Sequence, residues 1–125
     1  VHLGQKDEEI SFARNVLKPF QIIGLTCNTK EQILKAYEEG ANYIGLGPYR
    51  FTSTKENLSP ILGLEGYKEI DVDIPIYAIG GIRLEDAKPL SETGIYGIAL
   101  SSLILESEDP EKKIKELRKY FKEKI

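Results

Sequence analysis

Residues 43–55 read YIGLGPYRFTSTK, an apolar run that ends in glycine and proline and is followed by hydroxyl and basic side chains. The run at 43–47 has the length and near-continuous hydrophobicity of a parallel strand that is covered on both faces. Similar runs lie at 22–26, 74–80 and 96–101, and a shorter stub lies at 1–3. We therefore predict a parallel sheet of four strands and a stub.

Stretches with helical periodicity separate these predicted strands. They lie at 8–17, 29–40, 64–70, 84–93 and 109–125. Thr29 and Gln32 have the spacing of a capping box, and Gly40 suits the left-handed end of a helix. Asp109 before Pro110 is typical of a helix start. Strand and helix thus alternate four times after the stub, which fits either half of a (βα)8 barrel or an open doubly wound sheet.

The composition favours a single globular domain over residues 1–125, with 41% hydrophobic and 30% charged residues. A net charge of −3 argues against a broad basic face for nucleic acid or anionic membranes. No apolar run approaches the roughly 20 residues of a membrane helix, and the lone Cys27 allows no internal disulfide. We expect a cytoplasmic protein that binds neither nucleic acid nor membrane.

Because the sequence lacks methionine and begins inside an apolar run, we also expect it to be cut from a longer chain.

Two predicted strands end in segments that suit a phosphate group. Gly80 and Gly81 follow one of them, and glycine lets backbone N–H groups approach a phosphate closely while the next helix adds a positive dipole end. Ser101 and Ser102 follow the last strand, and barrel enzymes commonly bind phosphate after their final two strands. The alternative for the glycine pair is a tight turn that needs glycine for steric reasons alone.

The long loop from 48 to 63 carries hydroxyls and a cation directly after a strand. Thr52, Ser53 and Thr54 offer directional hydrogen bonds, and Lys55 offers a mobile charge, which is what a departing pyrophosphate requires. The loop is longer than most connections, and such loops are usually functional or disordered. The alternative is a solvated loop rich in turn formers.

Four blocks of sequence together resemble the thiamine phosphate synthase family. They are VHLGQ-x-D at 1–7, GLGP at 45–48 with T-x-T-K at 52–55, GLEG at 63–66, and IGGI at 79–82. The loop wording RFTSTKENLSP at 50–60 resembles the Bacteroidetes-type enzymes. The similarity spans essentially the whole chain. It implies the C-terminal half of a TIM (βα)8 barrel, an α/β fold, with the N-terminal half of the barrel absent.

The resemblance implies a Mg²⁺-assisted transferase of thiamine biosynthesis. Hydroxymethylpyrimidine pyrophosphate would couple with thiazole phosphate to give thiamine phosphate and pyrophosphate. Lys55 would be the catalytic residue that stabilises charge on the leaving pyrophosphate, and Asp7 would ligate Mg²⁺. The residues implied in binding the small phosphate substrates are His2, Thr26, Thr52, Thr54, Lys55, Gly81, Ser101 and Ser102.

The sequence departs from the family pattern in two respects. Asn28 stands where the family often has a histidine, and the pyrimidine-binding segment with the second Mg²⁺ carboxylate belongs to the absent half. A thiazole tautomerase is one alternative, although such proteins usually lack the Thr-x-Thr-Lys loop. A non-catalytic phosphate-binding half barrel is another. Because a half barrel exposes strand edges and an apolar face, we expect self-association or pairing with the missing half.

Simpler roles are open for several of these residues. His2 would serve as a core or edge histidine without function, and Cys27 as a small buried hydrophobe. Asp7 would cap the helix predicted to start near Glu8. The lysines of the last helix alternate with glutamates, which is typical of a solvated helix face.

Overall fold

The computed structural model describes residues 1–50, 60–68 and 70–121. Five strands are β1 His2–Leu3, β2 Gly24–Cys27, β3 Tyr43–Leu46, β4 Ile76–Ala78 and β5 Gly97–Ile98. The α-helices are α1 Ile10–Val16, α2 Lys30–Glu38, α3 Ala87–Ser91, α4 Ser102–Leu105 and α5 Pro110–Phe121. Two 3₁₀ turns lie at Leu64–Tyr67 and Leu84–Asp86. No helix in these described ranges has the length and apolar character that crossing a bilayer requires.

The strands form one sheet in the order β1-β2-β3-β4-β5, and every neighbouring pair is parallel. A doubly wound sheet reverses its strand order part of the way along the chain, whereas a barrel adds its strands in sequence. The observed order therefore favours the barrel alternative. The prediction of a parallel sheet with five segments is confirmed.

The two faces of the sheet carry different side chains, because successive residues of a strand point to opposite sides. One face, here called the outer face, packs against helices α1, α2 and α3. Its side chains are at most 4% exposed and comprise Ile23, Cys27, Ile44, Leu46, Ile76 and Ala78. The other, here called the inner face, carries His2, Gly24, Thr26, Tyr43, Gly45, Tyr77, Ile79 and Gly97.

Glycines on the inner face make room for aromatic rings. A Cβ atom on Gly24 would lie 2.0 Å from Cζ of Tyr43, and one on Gly97 would lie 3.1 Å from the ring of Tyr77. The rings of Tyr43 and Tyr77 meet edge to face with their centroids 5.8 Å apart, a favourable arrangement for aromatic pairs. His2 continues the row, with its ring centroid 5.5 Å from that of Tyr43. The inner face is therefore aromatic, with polar atoms at the ring edges.

The start and end of α2 follow the sequence prediction. Oγ1 of Thr29 accepts a hydrogen bond from the backbone N–H of Gln32 at 3.1 Å. The side chain of Gln32 completes the cap one residue earlier than in a standard capping box, since its Oε1 accepts from the N–H of Asn28 at 2.7 Å. Gly40 has a φ of +94°, as expected for a glycine that ends a helix.

Two helix predictions are wrong in detail, and one helix was missed. The helix expected at 64–70 is a 3₁₀ turn, and the one expected at 84–93 is divided into a 3₁₀ turn and the five-residue α3. Pro89 explains the division: proline has no N–H to donate and is tolerated only in the first turn of a helix, so α3 starts anew at Ala87. The short helix α4 was not predicted.

The cap predicted for α1 is also wrong. Helix α1 begins at Ile10, and its N-cap residue is Glu9, which makes no capping hydrogen bond through its side chain. The carboxylate of Asp7 instead accepts a hydrogen bond from the N–H of Gly4. Asp109 does cap α5, because its Oδ1 accepts from the N–H of Lys112 at 3.1 Å.

Candidate functional site

The carboxyl ends of parallel strands meet at one edge of a sheet. This edge brings together segments that are distant in sequence. Residues 4–7 follow β1, residues 28–29 follow β2, residues 47–50 follow β3, residues 79–82 follow β4 and residues 99–102 follow β5. The structure therefore places Asp7, Thr26, Gly81, Ser101 and Ser102 at or next to this edge, whereas His2 is level with the first residues of β2 and β3 and reaches Thr26 through its side chain.

His2 connects three strands at the inner face. Its Nε2 lies 2.7 Å from Oγ1 of Thr26, and its Nδ1 lies 2.9 Å from the hydroxyl of Tyr43. The backbone oxygen of Thr26 accepts a further hydrogen bond from the side chain of Gln5 at 2.8 Å. His2 is exposed rather than buried in the core. Two residues predicted to bind substrate, His2 and Thr26, are thus in direct contact, and Tyr43 is a third member that sequence reasoning missed.

Asp7 is exposed and fixed by the turn that follows β1. Its Oδ2 accepts from the N–H of Gly4 at 2.7 Å, and its own N–H donates to the carbonyl of Gly4 at 3.1 Å. Among residues 1–50, 60–68 and 70–121, no group of three or more acidic, histidine or cysteine side chains could hold a metal ion. Mg²⁺ often binds proteins through one or two carboxylates and fills its other positions with water and phosphate oxygens. Asp7 fits only a magnesium site of that kind.

The end of β2 carries Cys27, and Asn28 follows it; the two side chains have different roles. Cys27 is fully buried on the outer face, and burial raises the pKa of its thiol to about 12. It is therefore a buried hydrophobe, as one reading of the sequence predicted, and not a nucleophile. Asn28 donates from Nδ2 to the carbonyl of Gly47 at 2.7 Å. The residue that replaces the family's frequent histidine therefore joins the ends of β2 and β3.

Backbone hydrogen bonds join the described residues at the two ends of the long loop, which are here called its base. The N–H groups of Tyr49 and Arg50 donate to the carbonyls of Ile79 and Gly80, which extends the pairing of β3 and β4 beyond the strands. On the returning side, the N–H of Gly63 donates to the carbonyl of Tyr49 at 3.0 Å. The predicted phosphate-binding residues Thr52, Thr54 and Lys55 lie outside the described residues. Their loop starts and ends at the same point of the edge.

An ion pair that the sequence did not predict joins this base to the segment after β4. Asp86 is 5% exposed, and its Oδ1 accepts from Nη2 of Arg50 at 2.9 Å. Nη1 of Arg50 bonds the other carboxylate oxygen and also donates to the carbonyl of Gly81 at 2.9 Å. The N–H of Arg83 donates to Oδ2 of Asp86 at 2.7 Å. Because Arg50 and Asp86 are 36 residues apart, no spacing in the sequence reveals this pair.

Both members of the pair are ionised near neutral pH. Burial alone would raise the pKa of Asp86, but the hydrogen bonds from Arg50 and the Arg83 N–H, with the charges of the two arginines, lower it below its usual value. Hydrogen bonding to Asp86 is the main reason why the pKa of Arg50 is raised. The edge therefore holds a fixed, partly buried charge pair.

The glycine turn after β4 has both of its glycines in the left-handed region. Gly80 has a φ of +90° and Gly81 a φ of +67°. A Cβ atom on Gly80 would lie 2.9 Å from the Cα of Pro48, so the turn requires glycine for steric reasons. The helical segment behind the turn is short, because a three-residue 3₁₀ turn precedes the five-residue α3. The expected contribution of a helix dipole is correspondingly small, and backbone N–H groups remain as the donors for an anion.

Ser101 and Ser102 are exposed and follow the strand that neighbours β4. The N–H of Ala99 donates to the carbonyl of Ala78 at 2.9 Å, so β4 and β5 stay paired up to the carboxyl edge of the sheet. Ser102 begins α4, and the carbonyl of Ser101 accepts from the N–H of Leu105 at 3.0 Å. Hydroxyls after β5 and bare backbone after β4 thus lie at the same edge, which suits an anionic group.

Comparison with known proteins shows the family to which this chain belongs. A family model described as thiamine monophosphate synthase matches residues 1–104. Thiamine-phosphate synthase of Flavobacterium johnsoniae is 56% identical over 121 residues, which cover 91% of this chain and 56% of that protein. The corresponding protein of Bacteroides thetaiotaomicron is 53% identical over 117 residues, which cover 88% of this chain and 56% of that protein. The chain spans little more than half the length of these relatives.

Solved structures give the same result. Thiamine phosphate pyrophosphorylase from Pyrococcus furiosus superposes with a TM-score of 0.85 and is 36% identical, over 99% of this chain and 59% of that chain. A 3-hexulose-6-phosphate synthase superposes with a TM-score of 0.71 at 14% identity, over 96% of this chain and 60% of its own, which shows a shared fold alone. These neighbours are consistent with a partial barrel. The chain belongs to the thiamine monophosphate synthase family.

Proposed function

We propose that the complete gene product containing this chain is a thiamine phosphate synthase. It would couple hydroxymethylpyrimidine pyrophosphate with thiazole phosphate to give thiamine phosphate and pyrophosphate. The observation that carries this proposal is the 56% identity to a thiamine-phosphate synthase across 91% of the chain. The positions of Asp7 and Gly81 after the carboxyl ends of β1 and β4, and the contact of His2 with Thr26, support it.

In this proposal the two phosphate-bearing substrates occupy different parts of the edge. Thr52, Thr54 and Lys55 hold the pyrophosphate; the described residues on either side of them are joined by the hydrogen bond from the N–H of Gly63 to the carbonyl of Tyr49. Gly81 with Ser101 and Ser102 holds the thiazole phosphate through backbone N–H groups and hydroxyls. Thr26 and His2 lie on the inner face of β2 and β1, across β3 from Gly81 and the serines, and His2 contacts the hydroxyl of Thr26.

We also propose that the protein uses Mg²⁺, with Asp7 as a ligand. The carboxylate of Asp7 is exposed and held in place by Gly4, which suits a hard cation that substrate phosphates also bind. When bound, the ion would neutralise charge on the pyrophosphate. Asp7 itself contributes a positioned negative charge beside β1.

We further propose that this chain pairs with additional protein, either a second copy or the other half of a barrel. Within the described part of the chain, β1 and β5 are the outermost strands, and each bonds to a neighbouring strand on one side alone. Several large apolar side chains around α1 are more than half exposed, namely Phe12, Val16, Phe20 and Ile22. Size-exclusion chromatography of this chain should show a dimer or larger species, and a stable monomer would contradict the proposal.

The test of the function is a Lys55→Ala variant of the complete gene product. We expect its turnover to fall at least tenfold, roughly 1.4 kcal/mol of transition-state stabilisation, because the leaving pyrophosphate loses a cation. The measurement is thiamine phosphate formation from both substrates. Lys119→Ala removes an exposed lysine from the last turn of α5 and serves as the control.

Three outcomes would redirect the proposal. A wild-type rate in Lys55→Ala would remove the role assigned to that residue. Isomerisation of the thiazole substrate without coupling would instead support a tautomerase. Calorimetry that detects pyrophosphate and Mg²⁺ binding, together with no turnover of any substrate, would support a non-catalytic phosphate-binding protein.

A further inference from the structure

We propose that Arg50 and Asp86 are a positioning pair that locks the base of the 50–62 loop to the Gly80–Gly81 turn. The glycine turn would then keep one fixed position relative to the end of β3. The inference rests on the proposed function, because it assigns the pair to that site. The sequence analysis gave neither residue a role, although Arg50 begins the stretch at 50–60.

Arg50 contacts the segment after β4 through both its backbone and its side chain. Its N–H donates to the carbonyl of Gly80 at 3.0 Å, and its Nη1 donates to the carbonyl of Gly81 at 2.9 Å. The guanidinium also lies over the ring of Tyr49, with Cζ 5.1 Å from the ring centroid. Arg50 is therefore held on several sides while it holds two successive carbonyls of the glycine turn.

Asp86 fixes the far end of the same arrangement. Its carboxylate is nearly buried, and its two oxygens accept from both terminal nitrogens of Arg50 and from the N–H of Arg83. A bidentate contact between a planar guanidinium and a carboxylate sets direction as well as distance. Lysine in place of Arg50 could supply the charge but not this geometry.

The contact with Gly81 has a direct consequence for anion binding. Because the peptide bond between Gly81 and Ile82 is planar and trans, a carbonyl that points toward Arg50 sends the N–H of Ile82 the opposite way. Without Arg50, the positive-φ glycines would let this peptide turn more freely. Arg50 thus sets the direction of a backbone N–H in the turn proposed to bind the thiazole phosphate, and does so without touching that phosphate.

The test measures kinetics and binding for Arg50→Lys, Asp86→Asn and the double variant in the complete gene product. We expect each single variant to raise KM for thiazole phosphate about tenfold, with a smaller rise in KM for the pyrimidine pyrophosphate and little change in kcat. The rise in KM for the double variant should be no larger than that for the more impaired single variant, because both changes break the same contact. Lys68→Met breaks an exposed ion pair with Glu65, 2.9 Å long, and is the matched control.

Calorimetry with inorganic phosphate provides a readout that needs no turnover. Asp86→Asn and Arg50→Lys should weaken phosphate binding by a factor similar to the rise in KM, while Lys68→Met should not. Unchanged KM and phosphate affinity in folded variants of an active enzyme would overturn the inference and leave the proposed function intact. The inference would also be overturned if the only change in the variants were a loss of activity and of phosphate binding in proportion to the loss of folded protein. A wild-type protein that neither turns over nor binds phosphate would refute the proposed function, and the inference with it.

Discussion

The outer and inner faces of the sheet are built from alternate residues of the same strands, yet they have different compositions. Ile44 is completely buried on the outer face, while its neighbour Tyr43 is partly exposed on the inner face and bonds His2. The outer face is aliphatic and packs on helices, whereas the inner face alternates glycine with rings and hydroxyls. The fold therefore depends on one set of positions and the candidate chemistry on the other.

The largest effect should come from the outer face. Ile44→Ala removes a completely buried side chain, and we expect it to lower the free energy of unfolding by about 3 kcal/mol through lost burial and a cavity. Urea unfolding followed by circular dichroism measures this. A loss below about 1 kcal/mol would mean that the outer face is not the main source of stability.

The charge pair at the edge should come next. Asp86→Asn leaves Arg50 without its charged partner, and we expect a loss of about 2 kcal/mol at neutral pH. Because the pKa of Asp86 is lowered in the folded protein, its contribution is present above the usual carboxyl pKa and is lost as pH falls through the lowered value. The stability difference between wild type and variant should therefore shrink in acid. A difference that stays constant from neutral pH to well below the usual carboxyl pKa of 3.8 would contradict this assignment.

A smaller effect should follow from crowding of the inner face. Gly24→Ala places a Cβ atom on the ring of Tyr43, which must move away from His2, and we expect a loss of about 1.5 kcal/mol. Gly45→Ala is the matched control, because its nearest contacts would lie at an ordinary 3.5 Å. Thermal unfolding of both variants gives the comparison, and equal melting temperatures would show that the ring moves at no cost.

The smallest effect should come from Tyr43→Phe. This change removes only the hydroxyl that lies 2.9 Å from Nδ1 of His2, at an exposed site, so we expect a loss of about 0.5 kcal/mol. The same urea titration detects it. A loss as large as that of Ile44→Ala would remove the distinction between the two faces.

The sequence predicted the features that depend on local pattern. Runs of apolar residues located the strands, and Thr29, Gly40 and Asp109 marked helix ends because their side chains or backbone act within a few residues. Sequence pattern failed where a competing local contact or a distant contact decides the outcome. The carboxylate of Asp7 turns back to Gly4 instead of capping α1, and Asp86 meets Arg50 because β3 and β4 are neighbouring strands.

The candidate site was predictable in its location more than in its contacts. Parallel strands place their carboxyl ends together, so Gly81 and the serines after β5, each predicted to follow a strand, lie at one edge, and the family resemblance pointed to His2 and Thr26. The part played by Tyr43 was not, because its hydroxyl reaches His2 only through the register that aligns His2, Gly24 and Tyr43. Motifs indicate which residues meet a ligand, whereas register determines which residues hold them in place.

The burial of Cys27 has a practical consequence. The sequence contains one cysteine, and its thiol is completely enclosed at the end of β2. A thiol-labelling reagent cannot reach it until that part of the molecule opens, so the labelling rate records the frequency of opening. The native chain thus contains its own probe of local unfolding, without an engineered label.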